Sequence, residues 1–397
     1  MLILVINSGS SSLKYQLFNM DEKTVVGKGL VERIGIEGSV LTHKKDGKEF
    51  VIETPMPTHN EAVKNVFDAL VNEEYGLVES IEEIGAIGHR IVHGGEITDS
   101  TLIDEQLKEK VREYAKFAPL HNPAGLAGVE ACETLLPGKP NVAVFDTSFH
   151  QTMPASSYMY GLPYETYEKH GIRKYGFHGT SHKYVTKRTA EILGKNPEDL
   201  NVITVHLGNG SSLAAVKNGK SIDTTMGLTP LEGLIMGTRS GDLDPAVLTF
   251  LMQAEDMDAK ELDTLLNKES GVLGISGVSS DFRDLEEASD AGNERATLAL
   301  DMFIKRTRRF LGAYLVELGK VDAISFAGGI GENSDTMRAS LMKDLESFGI
   351  VLDEKKNDGL RGKDAIISSD DSKVKVLVVP TDEELMIAMD TLNIVEK

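Results

Sequence analysis

The chain has 397 residues, of which 41% are hydrophobic and 26% are charged, and its formal net charge at pH 7 is −20. This length and composition predict a soluble globular protein of two or more domains. So acidic a surface excludes general binding to nucleic acid or to anionic membranes. The single cysteine, Cys132, excludes an internal disulfide and a cysteine-rich zinc site.

The N-terminal apolar run, Leu2 to Ile6, has no basic segment before it and is too short for a signal peptide. No apolar run reaches the length of about 18 residues that a transmembrane helix requires. We therefore expect a cytoplasmic protein that does not cross a membrane.

Strand and helix patterns alternate along the whole chain, which predicts an α/β fold. The first half predicts strands at 2–6, 13–18, 25–34, 40–43, 49–53, 84–92 and 141–145, and helices at 60–73, 104–116 and 123–135. The second half predicts strands at 201–206, 212–216, 220–224, 322–327 and 375–379, and helices at 245–254, 259–267, 282–291, 294–318 and 382–392.

The two halves share a short internal similarity. Val5 to Leu13 aligns without gaps with Val205 to Leu213, and each segment predicts a strand, a turn of small residues and a second strand. Two unrelated hairpins that both favour Gly and Ser are the simpler explanation. A duplicated domain with a nucleotide cleft between the copies is the alternative that we favour. It predicts lobes at 1–146 and 147–381, with the last segment, 382–397, packing back on the first lobe.

The first of three turns rich in small residues is a candidate for phosphate binding. Between Asn7 and Lys14, successive backbone N–H groups and the hydroxyls of Ser10 and Ser12 would donate to phosphate oxygens. Lys14 adds a compact positive charge, and Asn7 could orient a metal ion or its water. A β-hairpin with solvated serines is the simpler interpretation of this segment.

The other two turns are His206 to Ser212 and Gly328 to Ser334. Gly208 and Gly210 would let the backbone approach a phosphate closely, although a hydrogen-bonded core histidine is the simpler interpretation of His206. The third turn follows a predicted strand and precedes a helix, which suits an anion or a nucleoside. It lacks the last glycine of a dinucleotide fingerprint, and the chain has neither a Walker A loop nor protein-kinase motifs. Together the three turns favour a nucleotide held between two lobes.

Four polar residues lie close to the ends of predicted strands or in Gly-rich segments: Arg90, Asp146, His178 and Arg239. Phosphoryl transfer from ATP to an anion needs guanidinium groups to neutralise the migrating phosphoryl group, and a carboxylate and an imidazole to position the reactants. A structural Arg90–Asp146 ion pair and a helix cap at His178 are simpler interpretations, which the spacing alone does not exclude.

At these residues the whole chain resembles the acetate kinase family, within the actin, Hsp70 and sugar kinase superfold. The segments that carry the resemblance are Asn7-Ser-Gly-Ser-Ser-Ser-Leu-Lys-Tyr15, Gly88-His-Arg-Ile-Val-His-Gly-Gly-Glu96, Phe145-Asp-Thr-Ser-Phe-His150, Tyr175-Gly-Phe-His-Gly-Thr-Ser-His182, His206-Leu-Gly-Asn-Gly-Ser211, Met236-Gly-Thr-Arg-Ser-Gly-Asp-Leu-Asp-Pro245, Asp281-Phe-Arg283, Gly329-Ile-Gly-Glu-Asn333 and Thr381-Asp-Glu-Glu-Leu385.

The resemblance implies a homodimeric enzyme that reversibly transfers the γ-phosphate of ATP to acetate and gives acetyl phosphate and ADP. We expect direct transfer in line, because an oriented acceptor carboxylate is a sufficient nucleophile. Mg²⁺ is the implied metal, with Mn²⁺ as an alternative. By this resemblance Arg90 holds the acetate carboxylate, and His178 and Arg239 stabilise the phosphoryl group in flight. Asp146 matches the acid/base position of the family. Because acetate is already ionised near neutral pH, we interpret Asp146 as a positioning and electrostatic group.

The resemblance also implies further contacts. The residues expected to bind the nucleotide, including the two serines and the lysine of the first turn, are Lys14, Ser10, Ser12, His206, Leu207, Gly208, Asn209, Gly210, Asp281, Phe282, Arg283, Gly329, Ile330, Gly331, Glu332 and Asn333. The residues expected at the metal are Asn7 and Glu383. The residues expected to form the acyl pocket are Val92, Leu120, Phe177 and Pro230.

The sequence leaves several alternatives for the metal ligand, the substrates and the class of protein. The family commonly has Asn where this chain has Asp382, so the metal ligand could be Asp382, Glu383 or Glu384. Propionate kinases share the fold and most of these motifs, so another short-chain acyl kinase is an alternative, and the choice between ATP and GTP is undecided. A nucleotide-switch module like actin or Hsp70 is the alternative from another class, and it would need no acceptor pocket.

Overall fold

The structure, a computed structural model, describes all 397 residues and divides into two compact units. The first unit comprises Met1–Gln151 and Asp382–Lys397, and the second comprises Thr152–Thr381. None of the helices has both the length and the apolar character needed to cross a membrane.

The first unit contains eight strands and four of the helices. Its strands are β1 (Leu2–Ser8), β2 (Ser12–Asn19), β3 (Thr24–Glu32), β4 (Val40–Lys45), β5 (Lys48–Glu53), β6 (Ile84–Ile91), β7 (Thr101–Leu102) and β8 (Asn141–Phe145). Its helices are α1 (His59–Leu70), α2 (Glu105–Tyr114), α3 (Asn122–Leu135) and, at the end of the chain, α15 (Glu383–Val395).

The second unit contains six strands and eleven helices. Its strands are β9 (Asn201–Leu207), β10 (Ser211–Lys217), β11 (Lys220–Thr224), β12 (Ala323–Ala327), β13 (Ala365–Ile366) and β14 (Lys375–Val378). Its helices are α4 (Ala155–Tyr158), α5 (Tyr164–His170), α6 (Gly179–Leu193), α7 (Ala246–Ala254), α8 (Ala259–Lys268), α9 (Gly271–Ser276), α10 (Phe282–Asp290), α11 (Glu294–Leu318), α12 (Gly328–Asn333), α13 (Asp335–Met342) and α14 (Glu354–Asn357).

The two sheets repeat one strand order, which confirms the predicted α/β fold with duplicated topology. The first sheet runs β5-β4-β3-β2-β1-β6-β8-β7 and the second β11-β10-β9-β12-β14-β13. In each, three antiparallel strands lead to two parallel neighbours, β6 and β8 or β12 and β14. A short antiparallel edge strand, β7 or β13, completes the six shared strands.

The gapless alignment of the two hairpins is wrong beyond their first strands. Val5 pairs with Gln16 across the first hairpin, whereas Val205 pairs with Leu213 across the second. When β1 and β9 are superposed in sequence, Leu213 therefore corresponds to Gln16 and not to Leu13. The turn after β9 is the shorter of the two, with only Gly208, Asn209 and Gly210 between the paired residues Leu207 and Ser211.

The apolar strands are buried on both faces, which explains their uninterrupted hydrophobic runs. In β1, Leu4 and Ile6 belong to the core with α1, while Ile3 and Val5 pack against α15. The long helix α11 places its apolar face in the core of the second unit. That face is therefore used within the subunit.

Two helices near the candidate site escaped prediction. The buried face of α6 contains Thr180, Ser181, His182 and other small polar residues, so it lacks a hydrophobic period of 3.6 residues. The segment expected to be a loop before a helix, Gly328–Asn333, is itself the short helix α12. The Glu332 carboxylate accepts hydrogen bonds from the N–H groups of Gly328 (2.7 Å) and Thr381 (3.0 Å), which offsets the poor helix propensity of the glycines.

Candidate active site

Arg90 and Asp146 form a bidentate ion pair in the first unit. Because β6 and β8 are parallel neighbours, both residues reach the same edge of the sheet. Arg90 donates from Nε to Asp146 Oδ1 (3.0 Å) and from Nη2 to Oδ2 (2.6 Å). The remaining guanidinium nitrogen, Nη1, makes no hydrogen bond within the protein. The side chains are 25% and 4% exposed, and the Asp146 charge raises the pKa of Arg90. The ion pair that the simpler interpretation expected is thus present. It leaves Nη1 of Arg90 to donate to an anion.

The start of α15 adds carboxylates to this pair. Asp382 caps the helix by accepting a hydrogen bond from Leu385 N (2.9 Å), so its carboxylate is committed to the fold. Burial raises the pKa of Glu383 to about 7, with Arg90 lowering it and Asp146 and Glu384 raising it further. Glu383 and Glu384 are therefore the carboxylates left to interact with a cation.

Asn7 and Lys14 face each other as a cross-strand pair on β1 and β2. Both line a cavity of about 180 Å³ that also contains Glu384. Amide and carboxylate oxygens are suitable ligands for Mg²⁺, which commonly keeps several waters and uses one or two carboxylates. No group of three or more His, Cys, Asp or Glu side chains is arranged to hold a metal ion by itself.

The turn between these strands is tight. Gly9 N donates to Ser12 O (2.7 Å), and the imidazole of His59 contacts Gly9 O (2.8 Å). Ser10 lies exposed at the tip. The hydroxyls of Ser10 and Ser12 thus belong to a fixed turn at the end of β1, as phosphate binding requires.

The segment after β6 carries Val92 and is held from several sides. Asn122 accepts a hydrogen bond from His93 N (3.1 Å) and donates to His93 O (2.9 Å). Gly95 has a φ of +59°, and a Cβ there would lie 1.9 Å from the ring of Tyr114. Val92 is partly buried, whereas Leu120 is 64% exposed on the surface of the first unit.

In the second unit, two of the predicted residues, His178 and His206, stack on each other. Their ring centroids are 4.4 Å apart. His178 Nδ1 lies 2.9 Å from Ser212 Oγ, and His206 Nδ1 lies 2.8 Å from Ser181 Oγ. His178 occupies the position before α6 with a φ of +56°, but its side chain does not cap the helix. The helix-cap interpretation of His178 is therefore wrong, and its imidazole points to other partners.

Arg239 and His178 converge on Gly210. A Cβ at Gly210 would lie 3.2 Å from His178 Nε2 and 3.4 Å from Arg239 Nη1. Arg239 donates to the carbonyl oxygen of Pro230 (3.2 Å), makes no ion pair with a carboxylate, and has its pKa lowered by burial. A partly buried guanidinium without a counter-ion, beside an imidazole and a glycine, is suited to bind an anion. Phe177 is buried and Pro230 partly buried in the same unit.

A cavity of about 560 Å³ in the second unit has the size expected for a small-molecule ligand. The predicted nucleotide contacts that line it are Gly208, Asn209, Asp281, Phe282, Arg283, Gly329, Ile330 and Asn333. The predicted contacts of the same unit that do not line it are His206, Leu207, Gly210, Gly331 and Glu332. Leu207 is fully buried, and Glu332 is engaged with backbone N–H groups.

Sequence reasoning missed other residues of this cavity. Ser334 and Thr336 donate to Glu286 Oε1 (3.0 and 3.2 Å), and Arg361 completes the wall. Behind the wall, the fully buried Arg338 donates to the carbonyl oxygen of Gly331 in α12 (2.9 Å).

Arg338 also holds the segment that leads to Arg361. It donates to Asn357 Oδ1 (2.8 Å) and to the carbonyl oxygen of Leu360 (2.8 Å), and burial lowers its pKa to about 10. The only signal for this arginine in the sequence was a charged residue within the apolar stripe of α13, next to Met337 and Leu341.

Comparison with known proteins identifies the family of this arrangement. Residues 2–389 match the Acetokinase family. The chain is 63% identical to the acetate kinase of Finegoldia magna over 99% of this chain and 100% of that protein. It is 59% identical to the acetate kinase of Clostridium novyi over 100% of this chain and 99% of that protein.

Two solved structures are also similar to this chain. The acetate kinase of Porphyromonas gingivalis has a TM-score of 0.97 at 52% identity, with 99% of each chain covered. A propionate kinase from Francisella tularensis has a TM-score of 0.91 at 41% identity, again with 99% of each chain covered. These similarities confirm the expected kinase and argue against the nucleotide-switch alternative. The chain belongs to the Acetokinase family.

Proposed function

We propose that this enzyme transfers the γ-phosphoryl group of ATP to acetate, reversibly, and forms acetyl phosphate and ADP. The observation that carries the proposal is the Arg90–Asp146 pair, which fixes a guanidinium while leaving Nη1 to receive a carboxylate, in a chain of this family. Hydroxamate colour from acetyl phosphate, formed when ATP, Mg²⁺ and acetate are mixed with the protein, tests it. No acetate-dependent ADP would contradict it.

In this proposal Arg90 binds the acetate carboxylate and sets the direction of its attacking oxygen. Asp146 holds the guanidinium plane through two hydrogen bonds and acts by position and charge. It need not remove a proton, because acetate is already an anion near neutral pH. The negative charge of Asp146 also disfavours a second anion on its own side of Arg90.

His178, Arg239 and the backbone at Gly210 act on the phosphoryl group as it moves. Their convergence supports this role, since cationic and N–H donors fixed before the reaction stabilise charge that is spread over the equatorial oxygens. Transfer is direct and in line, so the configuration at a chiral γ-phosphate should be inverted. Net retention would contradict direct transfer and point to a phosphoenzyme.

Asn7 and Glu383 would hold Mg²⁺, with Mn²⁺ as an alternative metal, and Glu384 lies close enough to share the role. When bound, the ion would neutralise negative charge on the phosphates of the nucleotide. Lys14, with the serine hydroxyls of the turn after β1, would bind the phosphates.

The cavity beside α10 and α12 would take the nucleoside of ATP. Phe282 and Ile330 supply apolar surface, and Asp281 and Arg283 form an ion pair at 2.7 Å on the rim. The second lobe, 147–381, would bind the nucleotide and form the dimer. The first lobe, 1–146 with 382–397, would bind the acetate and the metal.

Val92 and Leu120 of the first unit, and Phe177 and Pro230 of the second, are the residues that we expect to contact the acyl group and to set the preference for acetate. The similarity to a propionate kinase favours propionate as the second candidate substrate. One additional methylene group in a tight apolar pocket costs about 1–3 kcal/mol. We therefore expect kcat/KM for acetate to exceed that for propionate by roughly tenfold or more. Equal or greater values for propionate would reverse the assignment.

The enzyme would work in the cytoplasm, where ATP is available, and as a homodimer. The helix α7 supports a dimer because it is apolar yet has no buried residue, and Phe250 is 67% exposed. A Phe250→Asp variant should be monomeric by light scattering. Phe348→Asp, at an exposed phenylalanine outside α7 (59%), is the matched control and should stay dimeric. A monomeric wild-type protein would contradict this part.

A further inference from the structure

A continuous row of buried polar side chains leads to His178 from inside the second unit. Thr204 Oγ1 lies 2.7 Å from His182 Nδ1, and His182 Nε2 lies 2.7 Å from Ser212 Oγ. Ser212 Oγ in turn lies 2.9 Å from His178 Nδ1. Thr204, His182 and Ser212 are fully buried. None of the three has a place in the phosphoryl transfer derived above.

Counting hydrogens limits this row to two arrangements. Ser212 has one hydroxyl hydrogen and contacts two imidazole nitrogens, so it donates to one of them and accepts from the other. If Ser212 donates to His178 Nδ1, a neutral His178 carries its proton on Nε2. If Ser212 donates to His182 instead, His178 carries a proton on Nδ1 and, when neutral, presents a lone pair at Nε2.

The surroundings of His178 Nε2 select the first arrangement. That atom faces Gly210 beside Arg239 Nη1, where the phosphoryl oxygens would lie. An N–H there attracts an anion, whereas a lone pair repels it. The positive charge of Arg239 disfavours an imidazolium, so a neutral ring with its proton on Nε2 is the form that donates without a second positive charge.

We propose that Thr204, His182 and Ser212 act as positioning residues that fix His178 in its Nε2–H form, so that a neutral imidazole donates to the transferred phosphoryl group. The proposal rests on the proposed function for the identity of that group. The titratable and charged groups that face His178 include His206, whose Nδ1 contacts Ser181, together with His182 and Arg239. His206 contacts this row through its ring, which stacks on His178, while its Nδ1 lies next to Ser181 Oγ.

The first test is spectroscopic and independent of activity. Long-range ¹H–¹⁵N correlation on the full chain labelled at histidine reports which ring nitrogen carries the proton, and a His178→Gln variant identifies the signals of His178. We expect a protonated Nε2 and an unprotonated Nδ1 between about pH 7 and pH 8.5, above the ordinary histidine pKa. A protonated Nδ1, alone or together with Nε2, over this range overturns the proposal.

The second test uses steady-state kinetics. Ser212→Ala should lower kcat by about tenfold and leave KM for ATP and for acetate within about twofold, because the donor remains but its state and direction are no longer fixed. Ser325→Ala is the matched control, since Ser325 is a fully buried strand serine bonded to Thr189 Oγ1 at 2.7 Å. It should keep the wild-type kcat. Equal effects of the two variants overturn the proposal.

Rescue at His182 provides a third readout. His182→Gln keeps an N–H for Ser212 and should retain most of the activity, whereas His182→Leu should match Ser212→Ala. A Gln variant no better than the Leu variant counts against the proposal. If neither variant folds, Thr204→Val interrupts the row at its far end, and the wild-type spectrum still decides. A wild-type protein without acetate-dependent ADP formation would refute the proposed function but leave the spectroscopic result standing.

Discussion

The two units share six strands in one order, but different kinds of groups occupy the ends of those strands. In the first unit the ends of β6 and β8 carry the long charged side chains Arg90 and Asp146. In the second unit the turn after β9 is built from Gly208, Asn209 and Gly210, and β12 runs directly into α12. The difference shows that the scaffold supplies the edge while local residues supply the chemistry. Charge suits a small carboxylate, and accessible backbone suits a nucleotide.

The largest effect should come from the charged site of the first unit. Arg90→Gln removes the proposed donor for acetate and leaves the buried Asp146 without its counter-charge. We expect kcat/KM for acetate to fall by about 10³-fold or more, with the affinity for ATP nearly unchanged. Steady-state kinetics would measure kcat/KM for acetate, and isothermal titration with ADP would measure the nucleotide affinity. A comparable loss of nucleotide affinity would mean that Arg90 does not act on the acceptor.

In the second unit the next largest effect should come from a side chain added at Gly210. Gly210→Ala places a methyl group within 3.4 Å of both His178 Nε2 and Arg239 Nη1. We expect kcat to fall by about 10²-fold while KM for acetate stays within a few fold. Gly312→Ala is the matched control, because Gly312 lies within α11 and a Cβ there meets nothing within 4 Å. It should leave activity intact and stabilise the helix by about 0.5–1 kcal/mol.

One buried histidine of the first unit, His89, should make the fold sensitive to acid. Burial lowers the pKa of His89 to about 4, although a hydrogen bond to Asn141 opposes the shift. Because the unfolded state binds this proton more readily, the stabilisation is complete above about pH 6.5 and is lost as the pH falls towards 4. The free energy of unfolding should fall by roughly 3 kcal/mol over that range from this residue.

His89→Gln isolates the effect. The variant should have a weaker dependence of the urea midpoint on pH than the wild-type protein between these limits. Parallel pH curves for the two proteins would show that His89 does not titrate on unfolding.

The smallest of these effects should separate the nucleotide cavity from the acceptor site. Arg338→Lys keeps the charge but not the hydrogen bonds to the carbonyl oxygens of Gly331 and Leu360. We expect KM for ATP to rise by about tenfold, and KM for acetate to stay unchanged. Arg308→Lys, at an arginine that likewise donates to several backbone carbonyl oxygens, is the control. A similar change in both constants would assign Arg338 to general stability.

Much of the fold could be predicted because its elements have simple patterns. The strands at 141–145 and 220–224 and the helix at 294–318 have the predicted bounds. The helix α6 could not be found, since its buried face is polar and its hydrogen bonds come from β9 and β10. The gapless alignment of the two hairpins was wrong because their Gly and Ser residues match in sequence although the two turns differ in length.

The candidate site divides in the same way. Arg90 and Asp146 were predictable, because Arg90 lies at the end of one strand and Asp146 directly follows another. The two strands, β6 and β8, are parallel neighbours. Glu286, Arg338 and Arg361 were not, since they approach the cavity from segments far apart in the chain and carry no motif. Their roles depend on packing, which a single sequence does not encode in its local pattern.

The cap of α15 has a consequence for the ions that this enzyme prefers. Aspartate and asparagine cap a helix about equally well, so an Asp382→Asn variant should keep the fold. What changes in the variant is the electrical balance next to Glu383 and Glu384, which loses one negative charge. We therefore expect the enzyme to saturate at lower concentrations of divalent salt than an Asp382→Asn variant, and to release its anionic product more readily.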